Sequence, residues 1–386
     1  MVVSMKKNKP KKSLSSWLII VFYALIGVGC GAFFLVYLDR AEAAGMSNGQ
    51  RLWSLALMLI CLYGALFLQI VIHEAGHLVF GLLTGYRFCS FRIFNLMWVK
   101  ENGRIRLRRM SIAGTGGQCL MGPPDLKDGT MPVMLYNFGG AIFNLLFALL
   151  ALGLSFLCPP VSMLRVFLGC MAITGVGYAL LNGLPLPIAG LNNDGQNALA
   201  LSKSKEAVRA FWIQMKGNEL SSEGGRLRDM PEEWFALPSP EAMNNAIIAP
   251  IGVLRCSRLM DQRRFQEADD LMRDLLARKT AIAGLSRGLM VCDRMYLELI
   301  GQNRPEALAA LRTKEQERLM KAMRSLLSVL RTEYASALLA EKDGKKAEAS
   351  LRQFEKAAAS SPYPGEIQAE RELVDLAAQT ARGREG

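Results

Sequence analysis

The chain has 386 residues, 51% of them hydrophobic, and a formal net charge of +12. That length allows two or more domains, and that apolar content excludes a disordered chain. Its eight cysteines include no C-x-x-C pair and no dense spacing, which excludes a disulfide framework and reads them as small buried hydrophobes.

In chain order, a basic tail with Lys6, Lys7, Lys9, Lys11 and Lys12 leads into an apolar run from Trp17 to Leu38. Ala41-Glu42-Ala43 resembles a signal-peptide cleavage site. The run exceeds the apolar core of about 7–15 residues that such peptides carry, so an uncleaved anchor is expected. Further apolar runs cover Leu52 to Thr84, Val133 to Leu157 and Val166 to Leu184. A helix needs about 20 such residues to cross a bilayer. The second run is overlong: as a helix of about 50 Å it must tilt, protrude or break. Basic charge is concentrated before the first run and between Gly85 and Pro132, which holds Arg87, Arg92, Lys100, Arg104, Arg106, Arg108, Arg109 and Lys127. By the positive-inside rule the N-terminus, that connection and the C-terminal half are expected to be cytoplasmic. Placed this way, the charge reads as membrane orientation and not as a nucleic-acid surface.

The connection reads as a small β-ribbon. Phe91-Arg92-Ile93-Phe94 and Ile105-Arg106-Leu107-Arg108 alternate, with Glu101-Asn102-Gly103 as a turn. Gly114-Thr115-Gly116-Gly117-Gln118-Cys119 follows as an edge strand or loop able to pair with an extended peptide. The same ribbon also suits a basic face lying on anionic lipid. Residues 201–245, with Glu223-Gly224-Gly225 and Leu237-Pro238-Ser239-Pro240, read as a linker or irregular segment. Beyond it, Phe265-Gln266-Glu267-Ala268, Arg304-Pro305-Glu306-Ala307 and Lys346-Ala347-Glu348-Ala349 each follow a polar turn and open an Ala/Leu-rich helix. Their spacing is longer than the tetratricopeptide period but suits paired-helix repeats, which stack and leave a groove for a partner. The expected fold is thus a membrane α-helical protein: four transmembrane helices, a small β-ribbon and a soluble all-α, repeat-like C-terminal domain. Its expected parts are 1–51 (basic tail, first helix, outer loop), 52–200 (membrane core), 201–245 (linker) and 246–386 (cytoplasmic helical domain).

Both histidines of the chain stand in one motif, His73-Glu74-Ala75-Gly76-His77, inside the second apolar run. On a helix, residues four apart share a face, so the two imidazoles can hold one zinc ion while Glu74 acts on a water beside it. The surrounding run carries little else that is polar besides Gln69. An ionisable, metal-binding pattern at that depth is expensive and marks a functional site. A catalytic zinc takes three protein ligands, and with no histidine left the third is a carboxylate or a thiolate. Asp194 is the one acid between Met131 and Lys205 and follows the fourth apolar run. It suits a ligand, and it equally has the chemistry of a helix N-cap. Cys170 is the second candidate, although a cysteine in an apolar helix commonly packs.

These residues resemble the site-2 protease family of intramembrane zinc metalloproteases. The resemblance rests on His73-Glu74-Ala75-Gly76-His77, then Gly139-Gly140-Ala141-Ile142-Phe143-Asn144, then Asn182, Pro185, Pro187 and Asp194-Gly195, and it covers about residues 52–200. The chain has a longer stretch between its Asn-x-x-Pro and its Asp-Gly than the usual signature. The resemblance implies that His73, His77 and Asp194 bind Zn2+, that Glu74 is the general base, and that Asn144 helps to bind or polarise substrate. It further implies cleavage of a membrane protein or signal-peptide remnant. Gly76 suits either close approach of the metal shell or close helix packing. No PDZ or cystathionine-synthase-type accessory domain is recognisable. A function of another class is a catalytically silent membrane scaffold that recruits partners through its helical domain; the intact His73, Glu74, His77 and Asp194 favour the enzyme. A zinc transporter is disfavoured by the scarcity of charge in the spans.

Overall fold

Four long helices carry the apolar runs: α1 (Leu14–Ala43), α2 (Asn48–Leu83), α3 (Met134–Phe156) and α4 (Met163–Gly183). The structure, a computed structural model, describes residues 14–101, 103–110, 116–185, 187–188 and 191–385. Each of the four helices is long and apolar enough to cross a membrane. The runs read from the sequence coincide with them apart from their ends, and α2 continues unbroken through its histidine motif for 36 residues. The chain forms two compact units, one of Met1–Phe80 with Val133–Leu199 and one of Gly81–Pro132 with Ala200–Gly386.

In the first unit the usual amphipathic logic is reversed. On α3, Leu145, Leu146, Leu149 and Leu150 are exposed, while Gly140, Ala141, Asn144, Ala148 and Ala151 are buried. Water would penalise that stripe of leucines, whereas lipid accepts it, and small inward residues let helices approach closely. Gly76 of α2 meets Gly139 of α3 in this way, for a Cβ on either would collide with the backbone of the other. The glycine of the histidine motif therefore serves helix packing. An apolar cluster of Tyr37, Met58, Ala65, Ile72, Val166 and Cys170 fills the interior beside this contact.

The second unit contains a four-stranded antiparallel sheet of β1 (Arg87–Ile93), β2 (Leu96–Glu101), β3 (Arg104–Arg109) and β4 (Gly117–Gly122), in the order β3-β2-β1-β4. Phe91 stands opposite Trp98 on one side and Cys119 on the other. The predicted ribbon is thus part of a larger sheet. Gly117–Cys119 lies in its edge strand β4, whereas Gly114, Thr115 and Asn102 fall outside the described residues.

Two domain boundaries differ from the sequence reading. Residues 81–132 belong with the C-terminal half and not with a 52–200 core. After α5 (Asp194–Ser202), α6 (Lys205–Ser222) occupies much of the expected 201–245 linker. Ser204 caps α6 by accepting from the Ala207 N–H, and Val208, Ile213 and Met215 are buried. A helix that carries the buried Gly217 in its interior was hidden by the glycines that follow it. The buried Glu219 of α6 accepts from Arg87 Nε at 2.7 Å and Nη2 at 2.9 Å, and from Lys216 at 2.6 Å, which ties β1 to α6. Only 227–244 is irregular, with three short 3-10 turns.

The remainder is helical: α7 (Pro250–Asp261), α8 (Phe265–Ala277), α9 (Gly284–Ile300), α10 (Pro305–Leu311), α11 (Lys314–Ala322), α12 (Leu327–Ala335), α13 (Gly344–Ser360) and α14 (Pro364–Glu385). Met272, Tyr296, Leu330, Phe354 and Val374 share one core. All eight cysteines are free and six are buried. Arg331 is buried at 1% exposure, donates to Asp293 and, at 3.0 Å, to Glu370, and lies 4.5 Å from the Tyr296 ring centre. Removing one member of such a network leaves uncompensated charge in a low dielectric. Arg331→Met is therefore expected to destabilise this unit by about 3–5 kcal/mol. Thermal unfolding of the detergent-solubilised chain reads the effect, and an unchanged midpoint contradicts it.

Candidate metal centre

The helical spacing of the motif places His73 and His77 on one face of α2, with 9% and 8% exposure. Asp194 arrives from 121 residues away in sequence and faces both. Its Oδ2 lies 3.1 Å from His73 Nε2 and 3.3 Å from His77 Nε2, and the two Nε2 atoms are 3.2 Å apart. A tetrahedral zinc bound at about 2.0–2.1 Å holds neighbouring ligand atoms about 3.3 Å apart, so the triangle has the size of one tetrahedral face.

The hydrogen bonds behind the rings agree. His73 Nδ1 is 2.8 Å from Asn144 Oδ1, and His77 Nδ1 is 2.8 Å from the Tyr136 carbonyl oxygen. Oxygens of this kind only accept, so each Nδ1 carries the proton and each neutral ring turns a lone pair outward at Nε2. With both rings neutral, two imidazole lone pairs and a carboxylate oxygen meet with no donor among them. One cation satisfies all three. A cation between the three groups favours the ionised form of the Asp194 carboxylate. Among the described residues this is the cluster whose ligand atoms converge as a metal requires.

Packing explains how the distant aspartate gets there. The longer stretch before Asp194 folds back as a hairpin of β5 (Pro187–Ile188) with β6 (Leu191–Asn192); Leu186, Ala189 and Gly190 within it lie outside the described residues. Asn193 then anchors the turn. Its Nδ2 donates to the Leu181 and Leu184 carbonyls at the end of α4, at 2.7 and 2.6 Å. Its Oδ1 accepts from the Gln196 N–H at 2.9 Å, capping α5. The N-cap role considered for Asp194 thus falls to Asn193, and the Asp194 carboxylate is left for the site. Gly195 presses on α4 so closely that a Cβ would strike the Gly183 carbonyl. Gly140 of α3 leaves the space that the His73 ring fills, since a Cβ there would overlap the imidazole.

The other candidates sort differently. Glu74 is half-buried next to His73 and close enough to His77 to act on it electrostatically. Asn144 is fully buried, with Oδ1 on His73 and Nδ2 on Gln69, so its carboxamide supports a ligand ring instead of reaching substrate. Cys170 sits in the apolar cluster of the first unit, away from the triangle. Gln69, Gly140, Asn193 and the Tyr136 carbonyl were missed. For Gln69 the signal was present, as a carboxamide one turn before His73 in an apolar run.

Comparison of the chain with protein-family models, with curated proteins and with solved structures gave no match.

Gly140→Ala should displace the His73 ring and lower zinc content well below one per chain, with helix content unchanged. Gly153→Ala on the same helix, where a Cβ meets nothing, should bind as the unaltered protein does. Metal analysis of the purified proteins reads both, and full zinc in the Gly140 variant contradicts the geometry.

Proposed function

We propose that this chain is an intramembrane zinc endopeptidase of the site-2 protease type, cutting membrane proteins or signal-peptide remnants in regulated proteolysis. The observation that carries the proposal is the convergence of His73, His77 and Asp194 inside a unit of four apolar helices, with Glu74 beside them. Zinc bound there would polarise a scissile carbonyl and lower the pKa of water toward neutrality. Glu74 takes the water's proton and delivers it to the departing amine, base first and acid second. The Asp194 side chain is 25% exposed, so the site is open to the water that hydrolysis consumes. A helical substrate must unwind before its peptide bonds can be cut. Positive-inside orientation puts the active site toward the cytoplasm of a prokaryotic plasma membrane.

The C-terminal half acts in this reading as a cytoplasmic, repeat-like module that recruits a protein partner or substrate tail. Phe265, Pro305 and Gly344 each begin a helix two residues after a left-handed residue, Arg263 (φ 59°), Asn303 (φ 54°) and Lys342 (φ 53°). The same turn in three places supports a recurring helix pair. A cavity of about 360 Å³ lined by Trp234, Phe235, Ser257, Arg331 and Glu370 has the size of a ligand site.

Glu74→Gln should retain zinc and abolish cleavage. Mass spectrometry of membrane peptides from cells with either protein should find products that vanish in the variant; products persisting at the original rate would remove the mechanism. Ser257→Trp should fill the cavity and change which Glu74-dependent products form. An unchanged product set would remove the recruiting role.

A further inference from the structure

Gln69 is fully buried on α2, one turn before His73. Its Nε2 donates to the Met171 carbonyl of α4 at 2.9 Å. Its own side-chain and backbone oxygens both accept from Asn144 Nδ2, at 2.6 and 2.9 Å. Asn144 Oδ1 in turn accepts from His73 Nδ1 at 2.8 Å.

Read from its fixed end, this chain has one direction. The Met171 carbonyl can only accept, so Gln69 must turn its NH2 toward α4 and its oxygen toward α3. Asn144 must then spend both amide hydrogens on Gln69 and present its oxygen to His73. His73 therefore carries its proton on Nδ1 and keeps Nε2 free for the metal. We infer that Gln69 is a positioning residue that sets the tautomer of His73 through Asn144.

Its place is prepared by Gly175 of α4, where a Cβ would strike the Gln69 amide. The partner ring needs no relay, because the backbone carbonyl of Tyr136 fixes His77 directly. The two imidazoles are thus held by different means. An asparagine can present either end of its amide, and the two oxygens of Gln69, side-chain and backbone, together hold the NH2 end toward α2. Reversal of Asn144 would put its NH2 against Nδ1, move the ring proton to Nε2 and remove the lone pair aimed at the metal. Partners behind a ligand ring typically govern about 10–100-fold in metal affinity.

The metal consequence rests on the zinc reading above, whereas the tautomer does not. With only two histidines in the chain, ring-15N labelling of the full-length, metal-free protein gives four resolvable nitrogens. The unaltered protein should show Nδ1–H on both rings. Gln69→Leu removes the side-chain acceptor and leaves the residue-69 backbone carbonyl, so a measurable fraction of His73 alone should shift toward Nε2–H and zinc binding should weaken by about 10-fold in chelator competition, with His77 unmoved. Adding Asn144→Asp to that variant should restore the His73 tautomer, because a carboxylate can only accept. An unshifted His73, equal movement of both rings, or failure of the double variant to restore would each overturn the inference. If Gln69→Leu does not fold, Gln69→Met is read in the same way. Expected tautomers in a protein that takes up no zinc would support the relay and defeat the zinc reading.

Discussion

Three lone pairs pointed at one place, with no proton to share, are the constraint around which the membrane unit is organised. Polar atoms removed from water cost several kcal/mol each unless they find a partner, and here the acceptors of His73, His77 and the partly exposed Asp194 face one another. Such an arrangement holds together when a cation joins it, so the hydrogen bonds support the proposed metal ion alongside the motif. Each ring is turned from behind by an oxygen, and each oxygen is held by a neighbouring helix.

Close helix contact makes this possible. Gly76 against Gly139 brings α2 onto α3, Gly140 gives the His73 ring its space, and Gly195 lets the Asp194 turn press on the end of α4. A single methyl at any of these places would separate groups that must meet within about 3.3 Å to share a metal. The outer faces need no such care, because large leucines facing lipid pack loosely without penalty.

The second unit obeys the rules of water-soluble proteins. Its core is a contiguous set of apolar side chains on α7 to α14, and its buried charges come in networks: Arg331 with Asp293 and Glu370, Arg226 with Asp261 and Glu372. Such networks specify one packing, since a misplaced helix would strand a charge in a low dielectric. The same principle joins the sheet to α6 through Arg87 and Glu219.

Local pattern alone determined the apolar helices, the histidine pair and the helix starts after the polar turns, and it offered Asp194 beside Cys170 as a partner for the histidines. Each depends on residues within a turn or two of one another, or on a count of acids in an apolar stretch, so one dimension suffices. Only tertiary structure decided that Asn193 caps α5 in place of Asp194, that Asn144 serves His73, that Cys170 packs, and that residues 81–132 join the C-terminal half. The Asn193 cap is local but is selected by its contacts with the end of α4, whereas Asn144 and His73 meet across 71 residues of chain, and a carboxamide looks the same in sequence whichever end it presents. The direction of a hydrogen bond is settled by what lies on its far side, and that is known only when the helices are packed.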